Sequence, residues 1–147
     1  MGMVETRHRI KTALLAAAVL CASVPAQAGT ETDARLLVER GQVLEDQGAH
    51  DAAFATFTQA IALNVLPMAE QARLFYARGV IQDGQGRTSA ALSDYSAAIA
   101  LSPDFAPALN NRANLYRRQN HLEDAKRDYL ASLAANNPEA VGRLIVE

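Results

Sequence analysis

Three segments of this 147-residue chain line up on one another, and that repetition limits the fold more than any other feature. Gly48 to Ala60, Gly86 to Ala98 and Asn120 to Ser132 each open on a turn former. Five residues later each reaches an alanine (Ala53, Ala91, Ala125), and four beyond that an aromatic (Phe57, Tyr95, Tyr129). A small residue follows three further on (Ala60, Ala98, Ser132), with Ile61, Ile99 or Leu133 next. Upstream the register persists, with Leu37, Phe75 and Leu109 standing four residues before Gly41, Gly79 and Ala113. The second and third copies are 34 residues apart and the first and second 38, the four extra residues falling around Val65 to Met68.

Spacings of three and four place these residues on one face of a helix. Each unit therefore reads as two amphipathic helices joined by a tight turn at Gly48, Gly86 or Asn120, residues that tolerate the left-handed backbone ending a helix. The small positions let neighbouring backbones approach, and the aromatics fill the space beside them. Abundant alanine with only 5% aromatics favours close-packed helices over a β-sandwich or barrel. Half the residues are hydrophobic, which excludes a disordered chain, and a formal charge of −2 gives no footprint for nucleic acid.

A 34-residue helix–turn–helix with this alanine, aromatic and small-residue series resembles the tetratricopeptide repeat. The resemblance runs from Ala34 to about Pro138, with Pro103 closing the second copy. Leu37, Phe75 and Leu109 replace the family's frequent tryptophan, Gln82 stands where Tyr116 keeps its usual tyrosine, and Pro67 and Pro138 come late. The resemblance implies an all-α solenoid of three repeats (about 34–67, 68–105 and 106–138) with a short C-terminal capping helix over 139–147. Four residues make about one helical turn, so the insertion predicts that the first helix of repeat two starts early, from Pro67 through Asp83. Thr88 is the expected N-cap of a helix over Ser89–Leu101. Pro107 suits the first turn of a helix running to Arg118.

Residues 1–28 read as a secretory signal peptide rather than as part of the fold. Arg7, Arg9 and Lys11 precede an apolar run from Ala13 to Val24, and Pro25-Ala26-Gln27-Ala28 offers a cleavage site. Twelve apolar residues span about 18 Å as a helix, against a hydrocarbon core of roughly 30 Å. Cleavage, rather than retention as an anchor, is expected after Ala28, leaving 29–147 as the mature domain in a bacterial periplasm or secreted. Leu20 beside Cys21 departs from lipoprotein signals, and cleavage removes Cys21, the chain's one cysteine.

Arg40, Arg78 and Arg112 share one register position, and Asp94 and Asp128 share another, where repeat one has Thr56. That recurrence predicts arginine–carboxylate bonds between paired helices, with an anion site of stacked arginines as the alternative. No catalytic residues are expected. His50 and His121 fall in turns outside any metal-ligand spacing, Gly84-Gln85-Gly86 lacks the strand context of a nucleotide loop, and Glu45, Asp46 and Asp83 fall on helix surfaces. Neither a cofactor nor a metal is implied.

In the resembling family the first helix of each repeat lines a concave groove that binds a peptide or protein segment. Carried over residue by residue, the groove receives Arg35, Val38, Gln42 and Glu45 from repeat one. It receives Arg73, Tyr76, Val80 and Asp83 from repeat two, and Pro107, Asn110, Asn114 and Arg117 from repeat three. The two asparagine amides suit a peptide backbone, Tyr76 offers a flat contact, and Arg73 and Arg117 suit an acidic group. Val38, Gln42, Val80 and Pro107 stand where chaperone-binding members carry most of their carboxylate-clamping groups, and only Asn111 fits that set. The expectation is a non-catalytic adaptor in the cell envelope. The alternative is a self-assembling subunit, a homodimer joined through an exposed Leu144-Ile145-Val146 end.

Overall fold

The computed structural model describes residues 29–136, which form six antiparallel helices and, among the described residues, no strand. They are α1 (Glu31–Asp46), α2 (His50–Leu63), α3 (Met68–Gly84), α4 (Thr88–Leu101), α5 (Ala106–Arg118) and α6 (Leu122–Asn136). Each first helix packs on its own second helix, and each second helix packs on the first helix of the next repeat. No helix among the described residues is long and apolar enough to cross a membrane. The expected signal peptide and the whole of the expected capping segment, Leu144-Ile145-Val146 included, lie outside the described residues.

The turns fall where the spacing placed them. Gly48, Gly86 and Asn120 have φ of 74°, 73° and 63°, the left-handed backbone that closes each helix pair. Asn64 adopts φ 51° and ends α2 at the start of the four-residue insertion. That insertion lengthens α3 to 17 residues, against 13 in α5. Helix α3 runs one residue later than predicted, from Met68 through Gly84, because Pro67, with extended ψ of 147°, stands just outside it. Pro107 sits in the first turn of α5, where its missing N–H removes no helical bond.

Thr88 does not cap α4; it is the first residue of the helix, and Arg87 precedes it without a side-chain capping bond. Side-chain capping appears instead at α1. Thr30 Oγ1 accepts from the Asp33 N–H at 3.2 Å, and the Asp33 carboxylate accepts from the Thr30 N–H at 2.8 Å. The Thr30 N–H first, and then the Thr30 hydroxyl, which also donates to the carboxylate at 2.8 Å, hold the Asp33 carboxyl below its ordinary value.

Pairing within a repeat depends on the small positions. An added Cβ at Gly79 would come 2.8 Å from the Tyr95 ring, and one at Gly41 would collide with Phe57. Ala53, Ala91, Tyr95 and Ala98 are fully enclosed, and Phe57 and Ala60 nearly so.

Polar bonds reinforce repeats two and three. Arg78 donates through Nε and Nη2 to both oxygens of Asp94 (2.8 and 2.6 Å), and Arg112 does the same to Asp128 (2.6 and 2.9 Å). Each guanidinium also donates backwards, Arg78 to Thr58 Oγ1 at 3.3 Å and Arg112 to Ser96 Oγ at 3.1 Å. One arginine thus ties three helices across two repeats. Hydrogen bonding to Asp128 holds the Arg112 guanidinium above its ordinary value against the cost of burial. These forks account for Arg78 and Arg112 without an anion site.

Candidate functional site

The first helices α1 and α3 diverge enough to leave a cleft of ≈ 350 Å³ between them. Five predicted groove residues line it together: Arg35, Val38, Gln42 and Glu45 from α1, and Arg73 from α3. Phe57, Leu74 and Ala77 give the cleft an apolar floor, and Glu70 also lines it. A second hollow of ≈ 230 Å³ continues along the same helices and joins Val80 to Glu45, His50 and Gln85.

Charge divides this cleft into a satisfied half and an open half. Arg35 Nη2 donates to Glu31 at 2.7 Å and to Glu70 at 3.0 Å. The Glu31 hydrogen bond and the nearby Glu70 charge hold its guanidinium above the ordinary value. Arg73 is exposed and makes no salt bridge or side-chain hydrogen bond among the described residues, whose side-chain bonds otherwise take up Arg35, Arg78, Arg112, Arg118 and Arg127. A carboxylate entering the cleft would meet Arg73 without displacing an internal partner.

The remaining predicted residues do not all face free space. Tyr76 is half-buried at the joint of repeats two and three, its ring edge-on to Phe105 (5.3 Å) and tilted against Tyr95 (6.0 Å). Its hydroxyl lies 3.5 Å from the Asn111 amide nitrogen. Asp83 is ion-paired with Arg118, and Asn114 accepts from the Tyr129 hydroxyl at 2.6 Å. Pro107, Asn110 and Arg117 are exposed.

Glu70, Leu74 and Ala77 are the cleft residues that the sequence reading passed over. Glu70 sits in the extra turn that the insertion adds to α3, one turn before Arg73 on the same face. That spacing was the available signal. Buried Tyr95, with its hydroxyl 3.5 Å from Asn111, has its phenol pushed up to about 12, chiefly by burial.

Six helices paired in this register define a helical-repeat protein. Sequence models of the tetratricopeptide repeat match residues 34–64, 72–105 and 95–127, so the chain belongs to the tetratricopeptide repeat family, a family of protein-interaction modules. No curated protein matches it in sequence.

Among solved structures it is similar to MamA (21% identity, TM-score 0.66), over 78% of this chain and 63% of that one. It is also similar to the first TPR of Spaghetti (RPAP3), solved bound to the HSP90 peptide SRMEEVD. That match has 28% identity and a TM-score of 0.62, and covers 76% of this chain and 86% of the other. The Sgt2 TPR domain from Aspergillus fumigatus matches at 18% identity and TM-score 0.62, over 76% and 72% of the two chains. The chain thus spans less than two thirds of MamA.

Proposed function

We propose that this protein is a non-catalytic adaptor holding an extended segment of a partner protein along its first helices, in the envelope of a bacterial cell. The observation that carries this reading is the cleft between α1 and α3, where the unpaired Arg73 stands beside Val38, Gln42 and an apolar floor. Such a lining suits a peptide with an acidic group next to an aliphatic side chain. Peptide binding by the Spaghetti domain supports the mode of binding. Asn110 and Arg117 extend the contact towards repeat three, while Tyr76, Asp83 and Asn114 shape the groove through the bonds they make within the protein.

A random peptide library panned on the immobilised protein tests the reading. Arg73→Glu should remove acidic sequences from the selected pool, and Gln42→Ala should weaken capture less. An identical pool from both variants and the parent would move binding off this cleft. Export is proposed from residues 1–28, through a signal peptide cleaved after Ala28. N-terminal sequencing of envelope-derived protein should start at Gly29.

A further inference from the structure

The two ends of the described solenoid carry residues of the kind that its internal joints bury. At those joints a first helix sets aliphatic side chains against the preceding repeat. Leu74 and Ile81 of α3 are 3% and 4% exposed, in one cluster with Ala53, Phe57 and Ala60 of α2. Leu115 of α5 packs in the same way with Ala91 and Tyr95 of α4. The equivalent positions of α1 are Leu36 and Val43, still aliphatic but 59% and 53% exposed. At the other end Leu130 and Leu133 of α6 are 47% and 42% exposed. Ile61 and Ile99, at the register of Leu133, are half-buried. A terminal repeat that meets only solvent carries polar residues on its outer face.

We infer that the N-terminal face of one copy, with Leu36 and Val43, docks on the C-terminal face of a second copy, with Leu130 and Leu133. The contact repeats the internal joint and continues the solenoid. Polar pairs translate in register. The Asp83–Arg118 pair of the second joint becomes Arg117 of one copy against Asp46 of the next, opposite charges with their sides exchanged. The Gln85 amide that donates to Asp51 at 2.9 Å becomes Gln47 donating to Glu123. Where Thr58 and Ser96 accept from Arg78 and Arg112, the C-terminal face offers Leu130 under Arg40, an apolar contact in place of a bond.

One position opposes the contact. Lys126 replaces Phe54 and Leu92 and so faces Arg40 of the second copy, which makes this joint weaker than the internal ones. A head-to-tail contact of this kind propagates rather than closing on a dimer. Apart from Arg117 it uses none of the groove residues, so its failure would leave the groove reading intact.

Sedimentation of the full chain under reducing conditions, at rising concentration, tests the inference. The parent should form species larger than a monomer. Leu36→Glu with Val43→Glu, and separately Leu133→Glu, should each abolish them with an unchanged circular dichroism spectrum. Mixing these two defective variants should restore a dimer and nothing larger, because one matched pair of faces survives. Lys126→Leu should lower the concentration of half-association about tenfold.

A parent that stays monomeric, association that persists in both face variants, or a mixture that stays monomeric would overturn the inference. Persistent association would place the contact elsewhere, residues 1–28 included. A monomer that associates only once 137–147 is removed would assign the C-terminal face to the chain's own tail.

Discussion

Repeat one and repeats two and three place an arginine at the same position, yet only the later repeats make use of it. Arg78 and Arg112 each fork onto a buried aspartate and reach back to a hydroxyl of the preceding repeat. Arg40 is exposed, has Thr56 at the register position of the aspartate, and has no preceding repeat to reach among the described residues. Thr56 turns its hydroxyl to the Ala52 carbonyl at 2.7 Å instead. The comparison shows that the fork belongs to the joint between repeats and not to the helix pair alone. Repeat one folds on its small and aromatic residues without it.

The largest expected effect breaks the fork. Asp94→Asn and Asp128→Asn should each lower unfolding free energy by about 2–4 kcal/mol, since each leaves a largely enclosed guanidinium without its counter-charge. Asp94 should cost more than Asp128, because the buried Gln82 amide also donates to Asp94. Thr56→Ala should cost only about 1 kcal/mol. Urea titrations of the three variants rank them, and equal losses would dissolve the distinction between repeats.

Overpacking comes next. Ala91→Leu should destabilise by roughly 1–3 kcal/mol, since Ala91 is fully enclosed between Tyr95 and Leu115. Ala125→Leu, in the last described helix, should cost less. A tolerated leucine at position 91 would mean that the register is wrong.

The aromatic position separates the repeats by pH. Tyr95 has its phenol raised from 10.0 to about 12, so its protonated form is favoured by the folded state. Its contribution to stability is complete below pH 10 and is lost as pH rises through 12. Repeat one carries Phe57 there and has nothing to titrate. The alkaline fall in denaturation midpoint should flatten in Tyr95→Phe; an unchanged slope would assign it to other groups. The smallest effect is expected from Arg40→Ala, within about 0.5 kcal/mol by thermal denaturation, as for an exposed surface change.

The helix pairs and their turns were legible because they depend on local spacing. Ala53, Phe57 and Ala60 face one way by the pitch of the helix, and Gly48, Gly86 and Asn120 mark the left-handed turns between paired helices. The lengthened α3 was legible for the same reason. The helix starts were less so: Thr88 and Thr30 are equally good capping residues, and only Thr30 has Asp33 three residues on to complete a reciprocal pair. The groove was legible in part. Arg35, Val38, Gln42, Glu45 and Arg73 share one cleft, whereas Tyr76, Asp83 and Asn114 are engaged by Asn111, Arg118 and Tyr129.

Sequence by itself therefore determined which residues share a helical face, where each pair turns back and how the three pairs align, because a 3.6-residue period and a few backbone-permissive residues encode those locally. Tertiary structure alone decided which polar side chains stay free for a partner. That depends on the angle at which one repeat stacks on the next, and the angle brings together residues some 35 positions apart, as in Arg35 with Glu70 and Asp83 with Arg118. Helical periodicity within a repeat carries no information about such distances.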